Sequence, residues 1–167
     1  MMRFASLGSG SAGNCMVVQI ASTNVLLDCG FGVKETLLRL QKLEIAPEQI
    51  SGILVTHEHD DHAKGAFKLA ARFNIPVWLS HGTLKMCERY IPENTELKFQ
   101  LIDTQNRFNI DALEITPYPV PHDAREPTQF TFSDGQYKLG VLTDAGSSTQ
   151  HIEIVLSACD ALVLECN

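Results

Sequence analysis

A chain of 167 residues, 44% hydrophobic and 20% charged, is long enough to bury a core and suits a single domain over residues 1–167. Its 13 basic and 20 acidic residues leave a formal charge of −7, which argues against nonspecific attraction to nucleic acid. No apolar run reaches the ~18 residues of a membrane span, and the opening stretch MMRFASLGSGSAGN lacks the long apolar segment of a signal peptide.

The predicted elements alternate between strands and helices. Met16 to Ile20 and Val25 to Asp28 read as two strands joined by the turn ASTN. Val33 to Leu43 predicts a helix with Val33, Leu37, Leu40 and Leu43 on one face. Ile53 to Thr56 is a short buried strand, Ala63 to Phe73 a helix, Val77 to Ser80 a strand and Gly82 to Tyr90 a short helix. Leu97 to Ile102, Leu113 to Val120, Thr128 to Phe132 and Tyr137 to Thr143 carry strand patterns. Ser148 to Ala158 predicts a helix and Ala161 to Glu165 a last buried strand. The order implies an α/β protein with two sheets and helices outside them.

Five cysteines, Cys15, Cys29, Cys87, Cys159 and Cys166, are scattered without a CxxC. They suit small buried thiols kept reduced in the cytoplasm better than a disulfide framework.

The chemistry concentrates in LVTHEHDDHAKG, Leu54 to Gly65. His57, His59, Asp61 and His62 follow the strand end within six positions. Residues leaving a strand at i and i+2 can converge on one metal, and Asp61 and His62 can turn to a second as a helix begins. Imidazole with carboxylate suits Zn, Mn or Fe better than Ca or Mg. One loop cannot fill two coordination shells. Other strand ends therefore matter: His122 in PYPVPHDAREP, Asp144 in LGVLTDAGS and Asp28 in VLLDCG. Taken singly, each aspartate also fits a turn or a helix cap.

Other residues have simpler readings. Glu58 and Asp60 read as solvent-facing spacers, Trp78 as core, and His81 as a capping or surface residue. Arg125 suits either a phosphate contact or a loop salt bridge, and Asp123 an outer partner of His122. Lys34, Lys42, Lys64 and Lys68 fall on solvated helix faces. The glycine-rich GSGSAGN could offer backbone N–H groups with Ser9, Ser11 and Asn14 to a phosphate, or be an ordinary turn between strands.

HEHDDH resembles the HxHxDH signature of the metallo-β-lactamase superfamily, and Asp28, His122 and Asp144 fall in the order of its other motifs. The resemblance implies an αββα sandwich and two divalent transition metals, zinc foremost. It implies His57, His59 and His122 on the first metal and Asp61 and His62 on the second. Asp144 would bridge them, and Asp28 would support the ligand loop. SLGSGSAGN, HDAREP and LVLECN resemble the YycJ-like branch of bacterial exonucleases, linked to DNA repair. That implies phosphodiester hydrolysis of DNA through a metal-activated hydroxide, with Asp61 or Asp144 orienting the nucleophile. In that branch a last ligand histidine follows the segment matching LVLECN, whereas this sequence stops at Asn167. The expectation is a domain truncated at its C-terminus, with an apolar face exposed. Two alternatives stay open: a hydrolase of a small cyclic phosphodiester, thiolester or lactone, and a metal-binding regulatory protein without turnover.

Overall fold

The computed structural model describes residues 1–165 and places them in two sheets with helices on both outer sides. The first sheet holds β1 (Arg3–Gly8), β2 (Cys15–Ile20), β3 (Thr23–Leu27), β4 (Ile50–Leu54), β5 (Val77–Leu79) and β6 (Phe99–Leu101), side by side in chain order. β1 to β3 run antiparallel, and β3 to β6 are parallel. Each parallel step needs a crossover. These are supplied by α1 (Val33–Gln41), by α2 (Asp60–Ala63) with α3 (Ala66–Phe73), and by α4 (His81–Cys87).

The second sheet has the order β11-β10-β9-β8-β7. It is built from β7 (Phe108–Ile110), β8 (Leu113–Pro119), β9 (Thr128–Ser133), β10 (Lys138–Leu142) and β11 (Ala161–Leu164). Its pairs are antiparallel except β10 with β11, which are joined through α5 (Gln150–Leu156). Pro117 and Pro119 sit in β8 without breaking it. β7 is short and its register with β8 ends at Phe108 opposite Ile115, so no ladder bond is required of the prolines on that side.

The central strands of the first sheet, β2 to β4, are apolar on both faces because both are covered. Val17, Leu26, Ile53 and Val55 pack with Leu40, Phe67 and Leu69 under the helices. Val18, Val25, Leu27 and Leu54 pack with Leu113, Ile115, Phe130, Phe132 and Val141 between the sheets. Tyr118 and Val120 meet Ile152 of α5 on the far side. The layers are therefore helix, sheet, sheet, helix, the α/β sandwich the sequence implies. Ile53, Leu54 and Val55 are fully buried, and each contributes about 1.5–3 kcal/mol by burial. This anchors the end of β4, from which the histidine loop departs. On the edge strand β11, Leu162 and Leu164 are 45% and 50% exposed, and Ile154 of α5 is 64% exposed.

Several sequence expectations are corrected. The helix read over 63–73 is two pieces, α2 and α3, and α2 begins inside the histidine motif. On α1 the buried residues are Thr36 and Leu40, while Leu43 lies past its end, 40% exposed. Thr36 goes inside because its hydroxyl bonds the Gly32 carbonyl at 3.2 Å and meets the Cys29 thiol at 3.3 Å. Trp78 is only half-buried; it stacks on Phe108 with ring centroids 6.5 Å apart at 3°. Ser80 caps α4, its Oγ accepting from Thr83 N, and His81 is an exposed surface residue, the other half of its reading. β1 and β7 were not among the predicted elements. Cys15, Cys29 and Cys87 are buried free thiols and Cys159 is half-buried and free, as read; Cys166 lies outside the described residues.

Candidate metal centre

Five loops meet where the strands of both sheets end. Backbone hydrogen bonds sew them together: Asp28 N to Leu54 O at 2.8 Å, Cys29 N to His62 O at 2.8 Å, Asn14 N to Asp61 O at 2.7 Å, Thr128 N to Thr56 O at 2.9 Å and Gly146 N to Pro121 O at 2.7 Å. Two glycines make this possible. A Cβ on Gly30 would lie 1.8 Å from the Asp61 carbonyl oxygen, and one on Gly65 1.8 Å from that of Phe31. Asp28 and Asp144 both hold left-handed backbone, with φ of 58° and 51°. That region is uncommon for a residue with a Cβ and recurs at functional sites.

Asp28 organises the interior. Its carboxylate accepts from Thr56 N and Thr56 Oγ1, each at 2.8 Å, and lies 2.8 Å from His62 Nδ1. The single hydrogen of the Thr56 hydroxyl goes to Asp28, so Thr56 Oγ1 must accept from His57 Nδ1, 2.9 Å away. This leaves Nε2 of His57 as a bare lone pair, and that atom is buried without a hydrogen-bond partner among the described residues. Burial, then the nearby His62, His59 and His122 imidazoles, push His57 down to about 2, so it is neutral near pH 7. His62 is oriented in the same way: Nδ1–H donates to Asp28 and Nε2 faces the gap.

Around that gap, donor atoms of His57, His59 and His122 lie within 4.8 Å of one another, and so do those of His57, His62 and Asp144. The His57 ring centroid is 4.5 Å from His59, 4.1 Å from His62 and 4.6 Å from His122. Asp144 Oδ2 is buried, 3.0 Å from His62 Nε2 yet without hydrogen-bond geometry. Asp61 stands slightly back, its Oδ2 3.6 Å from His62 Nε2. Burial alone would lower His62, but the carboxylates of Asp28, Asp144 and Asp61 outweigh it and push His62 up to about 9. That corner attracts positive charge, as a proton or as a cation. Burial raises Asp144, with Glu165 adding to the effect and His62 opposing it. Orphaned buried donors, two overlapping groups of imidazole and carboxylate, and hydrogen-bonded far nitrogens fit a transition-metal centre.

Of the glycine-rich stretch, Asn14 enters the cluster. Its Nδ2 lies 3.0 Å from Asp61 Oδ2 and 2.9 Å from His62 Nε2. Ser9 lines a narrow cleft of about 60 Å³ shared with Asn14, Asp28 and His62, whereas Ser11 is exposed and touches none of these groups. Asp123 is exposed.

Sequence reasoning missed three residues. Thr56 transmits Asp28 to His57, and its position directly before the first histidine was the available signal. Glu165 holds the Asp144 amide at 3.0 Å. Glu58 is not a solvent-facing spacer: it is 7% exposed, and its Oε1 accepts from Arg125 N at 2.7 Å. The alternation of the ligand loop turns Glu58 away from the gap and towards the loop that carries His122. Asp60 is exposed as read, bonded to Tyr90 and to Arg89.

The sequence profile of the metallo-beta-lactamase superfamily matches residues 8–163. The exodeoxyribonuclease YycJ of Bacillus anthracis is 33% identical over 169 aligned positions, which take in 99% of this chain and 63% of that protein. The chain thus spans under two thirds of the length of that curated relative. Among solved structures, the metallo-beta-lactamase fold protein YhfI from Bacillus subtilis superposes with a TM-score of 0.79 at 20% identity, covering 99% of this chain and 71% of the other. Zn(2+)-bound PqqB from Methylobacterium extorquens superposes with a TM-score of 0.82 at 16% identity, covering 99% and 72%. Identities this low speak for the fold alone.

Proposed function

The chain belongs to the metallo-beta-lactamase superfamily, and from that premise we propose that it is a cytoplasmic metal-dependent hydrolase of phosphodiester bonds, a DNA exonuclease serving DNA repair, within one domain over residues 1–167. His57, His59 and His122 would hold one divalent ion. His62 and Asp61 would hold a second, with Asp144 available to either, and Zn is favoured over Mn or Fe for this donor set. The ions would supply Lewis acidity, bringing a water towards ionisation at neutral pH and offsetting charge on the phosphoryl oxygens. The chain's own residues do the rest. Thr56 and Asp28 fix the ring orientations of His57 and His62. Asp144 and Asp61 present carboxylates that orient the attacking water. Asn14 and Ser9, which line the cleft, offer amide and hydroxyl groups to a phosphate oxygen, and Ser11 would reach it only from the exposed turn.

The observation that carries this reading is the bare, buried Nε2 of His57 at the junction of the two donor groups. The nucleic-acid substrate draws its support from the exodeoxyribonuclease relative. A small phosphodiester or thiolester is the second reading, favoured by the net charge of −7. Elemental analysis beside cleavage of labelled DNA tests both. Two transition metals with release of nucleotides from a strand end is the expected result, and His59→Ala removes metal and activity together. Two metals with turnover only of small esters would establish the second reading. Absence of bound transition metal from protein purified without chelator and supplied with zinc would overturn the hydrolase reading.

A further inference from the structure

Beside the metal centre lies an open basin of about 890 Å³ lined by His81, Gly82, Lys85, Met86, Arg125 and Glu126. Two of the six, Lys85 and Arg125, are positively charged, and His81 adds an imidazole that can donate to a phosphate. The one carboxylate, on Glu126, is engaged by Gly82 N at 2.6 Å. The walls are fixed to each other: Ser80 Oγ and Thr83 Oγ1 donate to the Glu126 carbonyl at 3.0 and 3.3 Å. The basin is also fixed to the histidines. Arg125 follows His122 by three residues, and Arg125 N is held at 2.7 Å by Glu58, the residue between His57 and His59. His81, Lys85 and Arg125 are exposed, and Met86 is 44% exposed.

Set against the single Glu126 carboxylate, Lys85 and Arg125 leave this lining with a formal charge of +1 on a chain of net charge −7. Charges more than a Debye length of ~8 Å apart are largely screened at physiological salt. A polyanion seated here therefore responds to the basin rather than to the whole molecule. We propose that His81, Lys85 and Arg125 bind backbone phosphates of the nucleic-acid strand flanking the scissile bond, with Met86 as an apolar rest for a sugar or base. This rests on the nuclease reading: a small diester needs contacts only at the centre itself, whereas a strand must be held on either side of it. The contacts are to phosphate, so they bring affinity and register without base preference.

The test is fluorescence anisotropy of a labelled single-stranded oligonucleotide over a salt series, with strand cleavage followed in parallel. The proteins are wild type, Lys85→Ala, Arg125→Ala and, as a control for net charge, Lys42→Ala beyond the end of α1. Lys85→Ala and Arg125→Ala should each weaken binding several-fold and reduce the slope of log affinity against log salt by about one. Lys42→Ala should do neither. Both basin side chains are exposed, and Arg125→Ala keeps the backbone bond to Glu58, so melting temperature and metal content should match wild type. Wild-type slopes in the two basin variants of an enzyme that cuts DNA would overturn the proposal alone. A wild-type protein that binds and cuts no nucleic acid would overturn the nuclease reading, and this proposal with it.

Discussion

Asp28 shows how one side chain sets the chemistry of its neighbours. Three groups share its carboxylate, Thr56 N, Thr56 Oγ1 and His62 Nδ1, and through Thr56 it also selects the tautomer of His57. Removing it orphans buried donors at about 1–3 kcal/mol each and frees both rings to turn. Asp28→Ala should lower metal affinity roughly 10–100-fold, read by competition with a chelating dye, and should lower stability as well. Asp28→Asn keeps the shape and one acceptor oxygen, so it should lose less of both. Equal metal affinity in Asp28→Ala and wild type would show that the rings are oriented by something else. The aspartate after VLL was visible in the sequence as a strand-end residue, but its three partners were not. They come from a segment 28–34 residues away, and no local pattern encodes that approach.

At the scale of elements, the site exists because loops pack backbone to backbone. The turn after β3 runs against α2, and Gly30 leaves no room for a methyl group at the Asp61 carbonyl. Gly30→Ala must push α2 or that turn aside. Overpacking of this kind typically costs about 1–3 kcal/mol, and here it displaces the segment bearing Asp61 and His62. The expected outcome is a lower midpoint in urea unfolding together with weakened binding of the second metal. Gly32→Ala, where an added Cβ meets nothing within 4 Å, should change neither. Among elements, the long apolar strands and α3 were legible because their periodicities are strong. β1 was not, since Leu7 is its only buried residue, and β7 was not, since three residues cannot display a period.

For the whole molecule, the centre is a clamp between the two sheets. His57, His59, Asp61 and His62 leave the first sheet, while His122 and Asp144 leave the second. Cations held among them would tie together halves otherwise joined by the apolar layer between the sheets. A ligand at a thousand times its dissociation constant adds about 4 kcal/mol to folding stability, and in a chain of this size each kcal/mol moves the melting temperature by roughly 2–4 °C. Stripping the metal with chelator should therefore lower the melting temperature on the order of 10 °C, recovered on adding zinc. Calorimetry with and without chelator checks this, and superimposable melts would mean the metal does not bridge the sheets.

The sequence by itself determined the layered α/β architecture, through strands apolar on both faces interrupted by amphipathic helices. It also determined the crowding of His57, His59, Asp61 and His62 at one strand end, because those residues are neighbours in the chain. Only the tertiary structure decided that His57 presents a bare Nε2, that Asp144 and His122 reach the same gap from the other sheet, and that Glu58 turns inward to hold the loop of Arg125. Side-chain type and spacing specify what a residue can donate or accept. Which partner it meets depends on how two sheets stack and five loops close over their ends, and those contacts join residues distant in sequence.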